Sequence, residues 1–147
     1  MGKLSKNKGK KWEQAVARVF RAFLGDRIHR GNQSHRGGRG AGEGADVDGG
    51  PFWVECKHEK SCNLWKAMRQ ADAETAAKGD PRPSLVVAKQ DKKPPGWRVG
   101  LPGAPVVAML HAEVFADLLA DYMYLRGRLD IEADAPIPSR EDPVTFK

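Results

Sequence analysis

The 147-residue sequence predicts an α/β protein of the α+β kind, in which helices pack on a central mixed β-sheet. Apolar residues recur at spacings of three and four in three segments, which is typical of amphipathic helices. Short β-prone runs lie between these segments and are bounded by Gly, Pro and Asp, as strands usually are. The resulting element order is α-β-β-β-α-β-β-β-α, which favours one domain built around a single sheet.

The N-terminal segment is predicted to be a basic arm followed by the first helix. Residues 1–8 are rich in lysine and lack an apolar pattern, so we expect a flexible arm. The helix begins at Gly9 and carries an apolar stripe from Trp12 to Phe23. Gly25 is a suitable residue to end it, because glycine adopts the left-handed conformation at helix C-termini.

A short strand, a long loop and a hairpin are predicted next. The strand covers 27–30, and residues 31–44 contain six glycines and mostly polar side chains, which predicts a mobile loop. A loop of this length inside a small domain is more often functional than accidental. Residues 45–48 and 52–57 flank the Asp-Gly-Gly-Pro turn at 48–51, as two strands flank the turn of a tight hairpin.

The second half of the chain continues the alternation of helices and strands. A helix is predicted over 63–78, with Leu64, Trp65 and Met68 in its apolar stripe and Gly79 after its end. The remaining elements are three strands and a third helix, at 84–89, 97–99, 106–110 and 111–126. We therefore predict a single domain over 9–129, followed by an acidic, proline-containing tail over 130–147.

The charge distribution predicts a polyanionic partner. Residues 1–40 hold 11 Lys and Arg against 2 Asp and Glu, a net charge of +9, whereas residues 41–147 hold 14 against 17, a net charge of −3. The longest apolar run, at 106–110, is much shorter than the roughly 20 residues of a membrane helix, so we expect no membrane span. Two cysteines cannot cross-link a chain of this size, and we expect a cytoplasmic protein that needs no small-molecule cofactor.

The predicted hairpin carries the residues with the clearest chemical potential. Asp46 on its first strand and Glu55 on its second could bring two carboxylates to one hard cation such as Mg²⁺. The backbone carbonyl of Cys56 could complete the metal shell. Lys57 shares a face with Glu55 because side chains alternate along a strand, so its amine could orient or deprotonate a water or neutralise a phosphate. Asp48 lies on the same predicted face as Asp46, so either could be the ligand.

These residues resemble a known enzyme family. Gly44-Ala45-Asp46-Val47 followed by Val54-Glu55-Cys56-Lys57 resembles the core motif of the PD-(D/E)XK nuclease superfamily, with Ala45 where a proline often stands. A first helix with Glu13 and a polar, glycine-rich loop make the chain most similar to archaeal-type Holliday junction resolvases, including phage-encoded relatives. The resemblance covers roughly residues 9–90.

The resemblance implies a fold, an activity and partners. The fold would be restriction-endonuclease-like, and the activity would be Mg²⁺-dependent cleavage of four-way DNA junctions, with Mn²⁺ as a substitute, leaving 5′-phosphate and 3′-hydroxyl ends. Glu13, Asp46 and Glu55 would form the acidic metal site and Lys57 would be the catalytic lysine. The protein would act as a homodimer in a bacterial or phage-infected cell. Apolar residues of the third helix, such as Phe115, Tyr122 and Tyr124, are the expected dimer surface.

Basic and polar residues of the arm and loop are the predicted contacts with branched double-stranded DNA, since lysine and arginine neutralise phosphates. Ser34 also stands where these resolvases carry a functional serine. The predicted DNA contacts are Lys3, Lys6, Lys8, Lys10, Lys11, Arg30, Ser34, His35, Arg36 and Arg39. Gln70 and Lys89 could also reach the site.

Two other functions fit the same residues. The chain could be another nuclease of this superfamily, acting in restriction, repair or phage DNA processing on branched or duplex DNA. It could also be a non-catalytic DNA-binding module whose acidic hairpin is ordinary surface. Few aromatic residues accompany the basic ones, which argues against a protein that binds single strands by base stacking.

Overall fold

The computed structural model describes residues 3–31, 44–92 and 106–128, with side chains from residue 7 onward. Its elements are helices α1 (Lys3–Leu24), α2 (Leu64–Lys78) and α3 (Ala112–Arg128) and strands β1 (His29–Arg30), β2 (Val47–Asp48), β3 (Trp53–Glu59), β4 (Ser84–Gln90) and β5 (Val106–Met109). The predicted mixed α/β class is confirmed. The predicted strand over 97–99, most of the 31–44 loop and the tail lie outside the described residues.

The five described strands form one mixed sheet in the order β1-β2-β3-β4-β5. β2 and β3 pair antiparallel with Val47 opposite Val54, so the predicted hairpin is confirmed. β3 and β4 pair in parallel over their whole length, and α2 makes the connection between them, as a parallel pair requires. β5 then pairs antiparallel with β4.

The sheet is buried on both faces, because α1 packs on one face and α2 on the other. Val54 and Leu85 point toward α1 and join the core that contains Trp12 and Val16. Val86 points the other way and packs with Met68 of α2. This alternation is the one expected for strands covered on both sides, and it sends Glu55 and Lys57 of β3 to the α2 face.

Both ends of α2 are closed by capping residues, of which Gly79 is predicted from the sequence. The Asn63 side chain accepts a hydrogen bond of 2.9 Å from the backbone N–H of Lys66, which satisfies one of the free donors of the first turn. Gly79 has φ of 62° and closes the last turn through its N–H to the carbonyl of Ala76. These caps fix where α2 begins and ends.

The two other helices differ from the prediction at their ends. α1 begins at Lys3 rather than Gly9, since lysine is a good helix former and one interior glycine costs only about 1 kcal/mol relative to alanine. The backbone of residues 3–8 is therefore helical. α3 continues through Gly127 to Arg128 instead of ending at Arg126.

Trp65 has helical spacing with the other apolar residues of α2 but lies outside the buried face of this helix. Its side chain is 69 % exposed, whereas the buried face of α2 consists of Ala67, Met68, Ala71 and Thr75. At 100° per residue Trp65 lies on the flank of that face, so an apolar spacing of three to Met68 does not bring it to the sheet.

α3 leaves an apolar surface uncovered. Its exposed large side chains are Phe115, Leu118, Leu119, Met123, Tyr124 and Leu125. In the part of the chain that the structure describes, no helix is both long enough and apolar enough to cross a membrane.

Candidate active site

A cavity of about 210 Å³ lies where β2 begins beside β3, and it is open to the N-terminal half of α1 on one side and to α2 on the other. All four residues of the predicted catalytic set line it, together with the predicted carbonyl donor Cys56, the further candidate Gln70, and two residues that were not predicted as site residues, Gly44 and Glu74. The lining residues are Glu13, Gly44, Asp46, Glu55, Cys56, Lys57, Gln70 and Glu74.

Asp46 is held at the end of the hairpin by two hydrogen bonds. Its N–H donates to the carbonyl of Val54 at 2.8 Å, and its carboxylate Oδ2 accepts from the N–H of Cys56 at 2.7 Å. The Asp46 carboxylate thus takes the place of the backbone carbonyl that would accept from the Cys56 N–H if β2 were longer. Because the N–H and C=O of one strand residue point to the same edge, the Cys56 carbonyl faces the side on which the Asp46 carboxylate lies.

Gly31 allows the backbone just before β2 to pack closely against the residue that follows β1. Its N–H donates to the carbonyl of Asp46 at 2.9 Å, and a Cβ at this position would stand 1.9 Å from the carbonyl oxygen of Ala45. Any side chain at Gly31 would therefore push the Ala45–Asp46 backbone away. The segment before β2 is held against Gly31 because that residue has no side chain.

Lys57 is positioned between its own strand and α2. Its Nζ donates to Glu55 Oε1 at 2.5 Å and to Gln70 Oε1 at 3.1 Å. Burial lowers the pKa of Lys57, but the hydrogen bond to Glu55 and the nearby carboxylates outweigh it, so the net pKa is raised. The amine is therefore a charged hydrogen-bond donor at neutral pH, which favours orienting a water or phosphate over removing a proton.

Glu13 reaches the cavity from α1 and is paired with a residue of β1. Arg30 Nε donates to Glu13 Oε2 at 2.5 Å, and Glu13 is only 8 % exposed. The pair orients a buried carboxylate that would otherwise lack compensation for its charge. Arg30, predicted to contact DNA, thus lies at the edge of the site with its guanidinium on Glu13.

The site concentrates negative charge. Burial, then the charge of Glu55 and that of Glu13, raise the pKa of Asp46 to about 7, although the Cys56 N–H and Lys57 oppose this shift. Burial and the same acidic neighbours raise the pKa of the Cys56 thiol well above its usual range. The thiol therefore stays neutral, and the oxygen of the Cys56 backbone is the better donor toward a hard cation.

The donor set fits a magnesium ion. Within 3–31, 44–92 and 106–128, no three His, Cys, Asp or Glu side chains form a ready-made cation site. Mg²⁺ does not need such a cage, because one or two carboxylates suffice when waters and substrate phosphate complete its shell. Asp46, Glu55 and the Cys56 carbonyl are oxygen donors of this kind, and four carboxyl groups line the cavity against the one amine of Lys57.

Asp48 and Lys89 lie away from the cavity lining. Asp48 accepts from Arg82 Nη1 at 2.6 Å and from the Gly49 N–H at 2.8 Å, and although burial opposes it, these contacts lower the pKa of Asp48. Lys89 lies over the ring of Trp12, on the α1 face of the sheet, while Lys57 is on the α2 face. Of the two candidate ligands on the first hairpin strand, the structure brings Asp46 to the cavity.

The predicted DNA contacts are only partly described. Lys10 and Lys11 are exposed on α1, whereas the amine of Lys8 is paired with Asp91, which also contacts His58 Nε2 at 3.1 Å. Lys3 and Lys6 are placed in α1 by backbone alone. Ser34, His35, Arg36 and Arg39 lie outside the described residues.

Glu74 is the site residue that sequence reasoning missed. Its Oε1 accepts from Gln70 Nε2 at 2.9 Å, which leaves the amide oxygen of Gln70 directed at Lys57. The spacing of four residues on a helix was a usable signal, since side chains at i and i+4 are neighbours. It becomes informative only once Gln70 is known to touch Lys57.

No protein-family model, curated protein or solved structure matches this chain. Its function is therefore inferred from the residues around the cavity.

Proposed function

We propose that this chain is a Mg²⁺-dependent endonuclease of the PD-(D/E)XK type that hydrolyses phosphodiester bonds in branched DNA, with four-way junctions as its substrate. The observation that supports this most is the gathering of Asp46, Glu55 and Lys57 around one cavity at the end of a hairpin. The parallel pair β3–β4 with α2 between its strands, and α1 bringing Glu13 to the other side, are compatible with a restriction-endonuclease-like arrangement.

Asp46, Glu55 and the carbonyl of Cys56 would hold the cation, with Glu13 acting directly or through a water. When bound, Mg²⁺ or Mn²⁺ would supply Lewis-acid stabilisation of the phosphate charge and a more acidic water. The chain prepares this site by fixing the Asp46 carboxylate on the Cys56 N–H and the Glu13 carboxylate on Arg30. Little reorganisation of the side chains is then needed when substrate binds.

Lys57 would position the attacking water and offset the charge that develops on the scissile phosphate. Its Nζ has three donors, of which Glu55 and Gln70 occupy two, so the third can be directed at substrate. Gln70 keeps the amine on the α2 side of the cavity. Glu74 in turn fixes which end of the Gln70 amide faces Lys57.

The homodimer is part of the same proposal. The apolar residues Phe115, Leu118 and Leu125 of α3 are exposed at spacings of three and seven, which is typical of a helix seam that packs on another helix. Glu113 and Asp117 lie in the first half of α3 and Arg128 lies at its end, so two antiparallel copies bring opposite charges together. We expect Leu118→Asp to convert a dimer to a monomer in sedimentation, and a wild type that is monomeric at micromolar concentration would contradict the dimer.

The substrate is tested by a Mg²⁺ cleavage panel at matched salt. The panel compares a mobile four-way junction, a three-way junction, a flap, a plain duplex and a single strand. Paired symmetric nicks on the junction alone support a resolvase, whereas equal cutting of the duplex favours another nuclease of the superfamily. A wild type that binds branched DNA but cuts nothing with Mg²⁺ or Mn²⁺ would be a binding module.

The matched controls for the panel lie on the same hairpin. Asp46→Asn and Glu55→Gln remove the proposed ligands, while Asp48→Asn and Glu59→Gln remove a carboxylate of the same type that does not line the cavity. We expect cleavage to be lost in the first pair and retained in the second. The reverse result would place the metal on Asp48.

A further inference from the structure

The first turns of α2 expose an aromatic side chain that the fold does not use. Trp65 is 69 % exposed, more than any other large apolar side chain in the described part of the chain. Trp65 is not part of the buried face of α2. A large exposed apolar side chain is informative when it stands beside polar groups, because such patches mark binding surfaces.

The segment around Trp65 carries three exposed cations and no acidic residue. From Lys60 to Ala71 the chain has no Asp or Glu, and Lys60, Lys66 and Arg69 are all exposed. In the described ranges none of these three cations takes part in an ion pair, so their charge is available to a partner. The outward face of α2 continues with the small side chains of Ala73, Ala76 and Ala77, and the nearby Asp72 is paired with His111.

A depression lies beside the indole. It has a volume of about 630 Å³ and is lined by Ser61, Cys62, Asn63, Leu64, Trp65 and Met109. Its walls combine apolar and sulfur-containing side chains with the polar groups of Ser61 and Asn63. A flat, largely apolar ring with polar edges, carried on a negatively charged chain, is the ligand chemistry that these features fit together.

Trp65 lies within two turns of the candidate active site along α2. Trp65 precedes Gln70 by five residues, a rise of about 7.5 Å along a helix, and Gln70 contacts Lys57. Lys66 and Arg69 lie on the solvent side of α2, between the flank of Trp65 and the flank of Gln70. A strand that leaves the cavity across α2 would pass these two cations before it reached the indole.

We propose that Trp65 stacks on a base that is left unstacked at the branch point of the DNA substrate, while Lys66 and Arg69 hold the phosphates that lead to it. The choice of DNA rests on the proposed nuclease function. The surface thereby selects DNA that has an unstacked base near the cleaved phosphate, as a branch point or gap supplies, over continuous duplex. It gives the protein a preference for substrate shape that does not depend on the metal site.

The test is DNA binding in EDTA, so that no cleavage occurs. Fluorescence anisotropy is measured with a duplex that carries one unpaired nucleotide and with the same duplex fully paired. Stacking on a tryptophan is worth about 1–3 kcal/mol per base, so Trp65→Ala should weaken binding of the first DNA about 5- to 150-fold. Binding of the paired duplex should change less than about 2-fold, and Trp65→Phe should retain most of the affinity.

The cations are tested by the salt dependence of the same binding. Lys66→Ala/Arg69→Ala should lower the slope of log Kd against log salt by about 2, since each phosphate contact contributes about 1. Phe23→Ala removes an exposed aromatic side chain of α1 and serves as the matched control. It should not change the affinity for either DNA. Each variant is first checked for a wild-type circular dichroism spectrum and melting temperature.

Two results would overturn the inference. The first is that wild type and Trp65→Ala bind each of the two DNAs with the same affinity. The second is that the oligomeric state of Trp65→Ala differs from that of wild type in sedimentation, which would assign the indole to contacts between copies. Because the assay contains no divalent cation, either result leaves the proposed nuclease chemistry intact. Loss of cleavage in Asp46→Asn would equally leave the binding surface intact.

Discussion

The carboxylate of Asp46 accepts a 2.7 Å hydrogen bond from the backbone N–H of Cys56, across the end of the hairpin formed by β2 and β3. This hydrogen bond lies just beyond the backbone hydrogen bond between Asp46 and Val54. It fixes one carboxylate and one backbone carbonyl on the same edge of β3, beside Glu55. The hairpin therefore holds oxygen donors in place without needing a dedicated loop.

The stability of the metal-free protein should fall as pH rises from about 4 to about 7. Burial and the charges of Glu55 and Glu13 raise the pKa of Asp46 from 3.8 to about 7, so the folded state keeps a proton that the unfolded state has already lost in this window. Asp46→Asn has no proton to lose and should show a smaller decrease. Thermal unfolding in EDTA at pH 4.5, 6 and 7.5 measures both, and parallel pH profiles would contradict the assignment.

Magnesium should stabilise the wild type at neutral pH. The cation binds the folded state through Asp46 and Glu55, and at ten times its Kd the linkage is worth about 1.4 kcal/mol, or a few degrees in Tm. Asp46→Asn and Glu55→Gln should lose this increase. Glu59→Gln, on the same strand but outside the cavity lining, should keep it. An equal Mg²⁺ shift in all four proteins would place the ion elsewhere.

Gln70→Ala should lower kcat about 3- to 10-fold with little change in KM. The variant removes the amide oxygen that holds the Lys57 amine, and a net hydrogen bond is worth about 0.5–1.5 kcal/mol. Gln70→Glu keeps an acceptor and should recover most of the rate. Glu74→Gln tests the partner that fixes the amide. A rise in KM with constant kcat in Gln70→Ala would instead assign Gln70 to substrate binding.

Arg30→Ala should destabilise the fold by about 1–3 kcal/mol, because it leaves the buried Glu13 carboxylate without its partner. The double variant Arg30→Ala/Glu13→Gln should recover part of this loss, since a neutral amide tolerates burial better than an unpaired charge. Denaturant unfolding of the two single variants and the double variant gives the coupling. Additive effects would show that the two side chains act independently.

Local sequence signals predict the elements that build the site. The Gly-rich turn defines the hairpin, and Asn63 and Gly79 define α2, because caps and turns are encoded within a few residues. Strand alternation also predicts correctly that Glu55 and Lys57 share a face. The predicted catalytic set thus follows from short-range rules together with one motif.

The features that the sequence does not predict depend on contacts between residues that are distant in the chain. Strand alternation predicts Asp46 and Asp48 on one face of the sheet. The Asp48 carboxylate, however, accepts a hydrogen bond from Arg82, which lies 34 residues later in the chain. The Arg30–Glu13 pair joins β1 to α1 through two residues that are 17 positions apart in the sequence, and no periodic pattern indicates such a contact. Trp65 has the spacing of a core residue, but spacing does not reveal whether the sheet offers it a neighbour.

We propose that Asp46, Glu55 and Lys57 form a metal-dependent nuclease site. The most direct measurement is Mg²⁺-dependent nicking of an end-labelled four-way junction by purified wild type, Lys57→Ala and Lys89→Ala. Lys89 lies on the opposite face of the sheet, so its removal changes the charge equally without touching the cavity. We expect wild type and Lys89→Ala to cut at the same positions and Lys57→Ala to bind the junction but not cut it. Full cleavage by Lys57→Ala, or none by wild type with either Mg²⁺ or Mn²⁺, would contradict the claim.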